Sequence, residues 1–103
     1  MISEADWKRF KRVKAEALDK CCKQVLDDVR EGIDDPELSN HAKYLYLYKL
    51  IENGDKRIAT IFNYNSRSKA QLQLALMKSD GLLSSEQISG FSDELQNFIN
   101  NHD

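Results

Sequence analysis

The chain has few of the residues that end strands and helices: one Pro and four Gly among 103 residues. A sandwich or barrel of many short strands needs turn residues at close intervals, so this scarcity argues against a β-rich fold. Charged residues make up 31% of the chain, above the roughly 25% that is usual. We therefore predict one small helical domain over residues 1–103, with charged outer faces and a frayed tail over residues 100–103.

Cysteine and histidine are also scarce. Cys21 and Cys22 are adjacent, and His41 and His102 are far apart. Adjacent residues on a helix point about 100° apart, so a disulfide between these two cysteines would be strained. We therefore expect two reduced thiols, which fit a reducing compartment. There is no Gly-rich phosphate loop, nucleophile elbow or Cys-x-x-Cys, and the four residues do not make a metal set. We predict a protein that is not an enzyme and that uses no metal or cofactor.

Long apolar runs are absent as well. None reaches the roughly 20 residues that cross a bilayer. Charged residues recur through the first thirty positions, which leaves no apolar stretch of the kind found in secretory leaders. We expect a cytoplasmic protein without a membrane span.

Charge is arranged in blocks. Residues 1–14 contain five basic and two acidic residues, residues 27–37 contain six acidic and one basic residue, and residues 80–103 contain no Lys or Arg. Such blocks favour head-to-tail packing within or between chains, and they argue against a uniformly basic nucleic-acid binder.

The N-terminal third predicts a long first helix. Ser3 is a suitable N-cap, with acidic residues directly after it. Gly32, followed by Asp34-Asp35-Pro36, is a suitable stop, so the predicted helix runs from Glu4 to Glu31. One apolar stripe recurs at threes and fours along it: Trp7, Phe10, Ala17, Leu18, Cys21, Val25 and Val29, flanked by Cys22, Leu26 and Ile33.

The middle of the chain allows alternatives. Asp35-Pro36 predicts the start of a second helix, and Asn53-Gly54 predicts its end. A third helix would then follow over residues 56–63, a segment that also has strand composition. Apolar residues keep the helical spacing on both sides of Gly54. The alternative to two helices is therefore one long helix that contains this glycine.

The C-terminal third predicts a helical hairpin. Ser68 and Gln71 form a capping-box pattern for one helix, which ends at Ser79-Asp80-Gly81. Ser84 or Ser85 caps the last helix, and Gly90 weakens its middle. The whole pattern predicts an all-α bundle of four to five helices with a long N-terminal helix.

The segment Tyr44–Ile51 holds three of the four tyrosines and four large aliphatic residues in eight positions. On a helix it is apolar nearly all round, so it needs cover on more than one side. One interpretation makes it the centre of the bundle, with Leu18 and Leu45 in the core. The other makes Tyr44, Tyr46 and Tyr48 a candidate partner surface.

Two groups of cations are candidate anion contacts: Lys8, Arg9, Lys11 and Arg12, and then Lys56, Arg57, Arg67 and Lys69. Trp7 and Phe10, which interleave the first group, would stack on bases in a nucleic-acid complex, but they also fit the apolar stripe of the first helix. A recognition helix needs side chains that read bases, and only Gln71 and Gln73 are available near Lys69.

The leading functional hypothesis is a small intracellular protein-binding module. This hypothesis has three specific versions: a homodimer, an adaptor, and an immunity or antitoxin-like protein that binds a basic enzyme. The last version rests on analogy alone. The alternative is a nucleic-acid-associated regulator that uses the basic groups at residues 8–14 and 56–69.

Overall fold

A computed structural model describes residues 2–102, and the all-α prediction is confirmed. Over this range there are five α-helices and one short 3₁₀ turn, and no strand. The helices are α1 (Glu4–Asp34), α2 (Asn40–Phe62), α3 (Ala70–Ser79), α4 (Ser85–Ser89) and α5 (Asp93–Asn101), and the 3₁₀ turn is Arg67–Lys69.

The molecule is elongated, measuring 52 × 24 × 23 Å, because α1 and α2 form an antiparallel hairpin that is much longer than the other helices. Helix α3 packs against α1, α2 and α5 at one end of this hairpin. The core lies at that end, where the largest fully buried apolar side chains are Phe10, Val13, Cys21, Leu74, Met77, Leu82, Leu95 and Ile99.

The other end of the hairpin has almost no core. In α1 the only buried residue after Cys21 is Gly32, and in α2 the only one before Ile61 is Gly54. We call residues 22–54 the distal hairpin. Its two helices are held chiefly by each other, since α3, α4 and α5 lie at the core end.

Helix α1 begins as predicted and ends later. The Ser3 hydroxyl accepts a hydrogen bond from the backbone N–H of Asp6 at 3.1 Å. The predicted stop at Gly32 is wrong, because α1 continues to Asp34. A Cβ atom at Gly32 would lie 2.6 Å from Cδ1 of Tyr46, so this glycine serves the close approach of α2.

The predicted break at Gly54 is also wrong, and the alternative of one long helix is correct. Helix α2 runs through Gly54 to Phe62, so residues 56–62 are neither a strand nor a separate helix. A Cβ atom at Gly54 would lie 3.1 Å from Cγ2 of Val25. The glycine therefore lets α1 and α2 pack closely rather than ending α2.

Helix α2 starts at Asn40, four residues after Pro36, where the sequence predicted its first turn. The Asp35 side chain accepts from the N–H of Glu37 at 2.9 Å, which forms a turn instead of a helix cap. Ser39 is the N-cap, and its hydroxyl accepts from the N–H of Ala42 at 3.1 Å.

The C-terminal predictions are partly corrected. Ser68 does not cap α3, because it lies inside the 3₁₀ turn and its hydroxyl is 3.2 Å from that of Ser66. Ser84 does cap α4, in a capping box with Gln87. The last predicted helix is two helices, since α4 ends at Ser89 with Gly90 as its C-cap, and Ser92 caps α5.

Helix α5 extends to Asn101, and the His102 ring stacks on Phe98 with 5.2 Å between centroids. The fraying of residues 100–103 stays a prediction, and Asp103 lies outside the described residues.

Candidate protein-binding surface

The tyrosine-rich segment lies on the distal hairpin, and it is not the centre of the bundle. The exposed fractions are 69% for Tyr44, 61% for Tyr48 and 50% for Leu45. The interpretation that placed Leu45 in the core is therefore wrong. The C-terminal helices pack beside Phe10 and Ile61 at the core end and leave this segment uncovered.

The segment divides into two parts with different surroundings. The Tyr46 ring rests on Gly32, and Cδ1 of Leu47 would lie 3.6 Å from a Cβ at the same glycine, so these side chains pack against α1. Tyr44 and Tyr48 are one helical turn apart and lie on the same side of α2. Ile51, three residues further on, shares that side and is 45% exposed.

Helix α1 contributes two more exposed apolar side chains. Leu26 and Ile33 are each 47% exposed. They are seven residues apart, about two helical turns, so they lie on the same side of α1. Their spacing was visible in the sequence, where both flanked the main apolar stripe, but sequence reasoning did not assign them to a surface.

A groove shows that these two sides form one surface. Leu26 of α1 and Ile51 of α2 both line it, and Val25 and Gly54 are where the helices approach most closely. It encloses about 190 Å³, and the full lining is Cys22, Val25, Leu26, Ile51, Gly54, Asp55 and Ile58. We call Leu26, Ile33, Tyr44, Tyr48 and Ile51 the hairpin face.

The two adjacent cysteines have different environments. Cys21 is fully buried in the core, and burial raises the pKa of its thiol. Cys22 is half-buried at the groove. A raised pKa leaves less thiolate, so the buried Cys21 thiol is inert. Cys22 is the more exposed thiol of the pair.

Three of the candidate anion-binding cations, all of them arginines, are held by intramolecular hydrogen bonds. Arg9 donates to the carbonyl of Gln87 at 3.4 Å and lies over the Phe91 ring. Arg57 pairs with Asp80 and also donates to the side chain of Gln24. These contacts attach the C-terminal helices to α1 and α2.

Arg67 fastens the 3₁₀ turn to the N-terminus. Its guanidinium donates to Glu4 and to the carbonyl of Ile2, each at 2.9 Å. Of the remaining candidates, Lys8 and Arg12 are exposed on α1. Lys56 is exposed on α2, with its Nζ 3.6 Å from the Glu52 carboxylate.

Lys11 lines a cleft near the start of α1. Lys11 lies over the Trp7 ring, Lys69 lies over the Tyr64 ring, and Lys14 donates to the carbonyl of Tyr64 at 2.8 Å. Burial lowers the pKa of the Lys14 ammonium. The cleft encloses about 340 Å³ and is lined by Trp7, Phe10, Lys11, Lys14, Ala15, Leu18 and Asn65.

The eight cations therefore do not form one basic surface. Lys11 lies at the cleft, whereas Arg57 faces Asp80 just after α3 and Arg67 faces Glu4. Within residues 2–102 no three or more His, Cys, Asp or Glu side chains are grouped as a metal site would require. In the same range, no helix combines the length and apolar character needed to cross a bilayer.

Comparison with protein families, curated proteins and solved structures finds no match to this chain. The surface itself is therefore the basis for a functional assignment.

Proposed function

We propose that this protein is a protein-binding module that acts through the hairpin face. The observation that carries the proposal is the exposure of five large apolar side chains on one side of a projecting hairpin. Extended apolar patches are rare on monomeric proteins and are typical of interaction sites.

The composition of the hairpin face supports this proposal. Two tyrosines provide large side chains with few rotatable bonds, which is why tyrosine is common where proteins bind tightly. The aliphatic side chains Leu26, Ile33 and Ile51 lie beside a groove that an opposing side chain can enter.

Affinity capture from cells that naturally contain the protein tests the proposal. We expect Tyr44→Ala combined with Tyr48→Ala to lose the proteins that the wild-type chain captures, because the variant removes the two most exposed aromatic side chains. Tyr64→Ala is the matched control, since Tyr64 is also exposed but lies outside the distal hairpin. Circular dichroism verifies that all three chains are folded.

A folded double variant that retained every captured protein would contradict the proposal. The nucleic-acid alternative is weaker, because three of its eight cations are held by intramolecular bonds. Binding to duplex DNA that falls as salt rises, and that is lost on neutralising Lys8, Lys11 and Arg12, would favour it instead.

A further inference from the structure

The distal hairpin has the form of half a four-helix bundle. In such bundles each helix packs against two neighbours, so it carries an apolar stripe toward each. Helix α1 has one stripe against α2, which includes Val25 and Gly32. Leu26 and Ile33 form a second stripe that nothing within residues 2–102 covers.

The apolar side of α1 continues from the distal hairpin to the core end. Lys11, Cys22 and Ile33 are eleven residues apart, which is close to three helical turns, so they share one side of α1. The groove beside Cys22 and the cleft beside Lys11 both open on this side. Cys22 lies midway between the two ends.

Charge differs between the two ends of this side. The tip of the hairpin holds Asp34, Asp35 and Glu37, and the opposite end holds Lys8 and Lys11 beside the Trp7 ring. Two copies in parallel would place acidic tip against acidic tip. Two antiparallel copies would place each acidic tip beside the lysines of the other copy.

We infer that a second copy of this chain covers the hairpin face, in an antiparallel dimer with its two-fold axis near Cys22. This inference rests on the proposed function, since it names the partner of the same surface. With that axis, Ile33 of one copy meets the cleft at Lys11 and Leu18 of the other. The two α1–α2 hairpins together form a four-helix bundle in which the distal hairpin of each copy lies against the core end of the other, and both copies contribute the same patch, as two-fold symmetry requires.

The available surface is large enough for this pairing. Lys11 to Ile33 spans about 33 Å at 1.5 Å per residue, and two packed helices are about 20 Å wide. The patch is therefore roughly 650 Å² per copy, or roughly 1,300 Å² for the pair, which falls within the range of specific interfaces.

Sedimentation velocity on the full chain, from micromolar concentrations upward, tests the dimer. We expect the wild-type chain to be dimeric and Leu26→Glu to be monomeric at the same concentration, because the new carboxylate would be buried against the other copy. Asn53→Glu is the matched control, since it adds the same carboxylate at an exposed position of the distal hairpin. Asn53 lies about 140° or more around α2 from Tyr44, Tyr48 and Ile51, so this variant should remain a dimer.

Charge reversal tests the antiparallel arrangement. We expect Lys8→Glu with Lys11→Glu to weaken the dimer, and adding Asp34→Lys with Glu37→Lys in the same chain to restore it. In a parallel dimer each charged group would face the same group of the other copy, both in the wild type and in the two variants. The second pair of substitutions would then not restore association. Rescue supports the antiparallel dimer, and lack of rescue overturns it.

A wild-type chain that stays monomeric at every concentration would overturn the inference, as would equal effects of Leu26→Glu and Asn53→Glu. Neither result would remove the proposed function. A monomer that loses its captured proteins when Tyr44 and Tyr48 are replaced would still be a protein-binding module, with a different chain as its partner.

Discussion

At the scale of single residues, one buried carboxylate joins the two ends of the chain. Asp6 is 5% exposed, and its carboxylate accepts from the backbone N–H of Ser92 at 3.0 Å and from the Ser92 hydroxyl at 2.6 Å. The Ser92 hydroxyl in turn caps α5 by accepting from the N–H of Leu95. Asp6 therefore positions the cap of a helix that is distant in sequence.

We expect Asp6→Ala to lower the free energy of unfolding by about 2–3 kcal/mol, since hydrogen bonds to a charged group stabilise more than neutral ones. Glu4→Ala is the control. Glu4 also lies in the first turn, but its exposed pair with Arg67 contributes at most about 1 kcal/mol. Urea denaturation at neutral pH measures both, and equal losses would show that Asp6 has no special role.

At the scale of helices, the closest approach of α1 and α2 within the distal hairpin depends on two glycines. We expect Gly54→Leu to destabilise the protein by about 1–3 kcal/mol, because the added side chain must displace Val25. Asn53→Leu adds a similar side chain at the adjacent exposed position and should change stability by less than about 0.5 kcal/mol.

Thermal denaturation followed by circular dichroism compares these two variants. If Gly54→Leu melted at the wild-type temperature, α1 and α2 would not need to be close at this point. A partial loss of helix signal at temperatures below the main transition would instead indicate that the distal hairpin opens as a unit.

These glycines also mark what the sequence could predict. The cap at Ser3 and the helical class follow from local chemistry, and both were predicted correctly. Gly32 and Gly54 were interpreted as helix ends, because a terminal glycine and a glycine at a helix crossing look the same without the neighbouring helix. Only the positions of Tyr46 and Val25 distinguish them.

At the scale of the molecule, the two ends of the α1–α2 hairpin have different kinds of stability. The core end buries Phe10 of α1, Leu74 of α3 and Leu95 of α5 in one cluster. In the distal hairpin α1 and α2 pack only against each other, and one apolar side of the pair is exposed. Periodicity predicted that α1 and the tyrosine-rich segment are apolar, but it does not say which part of a long helix the shorter helices will cover. The sequence therefore left two interpretations of the tyrosine-rich segment, and the one that placed Leu45 in the core is wrong.

A pair of leucine substitutions measures this difference. Leu74 is fully buried, and we expect Leu74→Ala to cost about 2–5 kcal/mol through lost burial and a residual cavity. Leu45 is half exposed and points away from α1, so Leu45→Ala should cost less than about 1 kcal/mol. Both are measured by urea denaturation at one protein concentration, because association raises apparent stability by mass action.

If Leu45→Ala cost as much as Leu74→Ala, the distal hairpin would be covered in solution on its outer side as well. The hairpin face would then be only part of a larger interface.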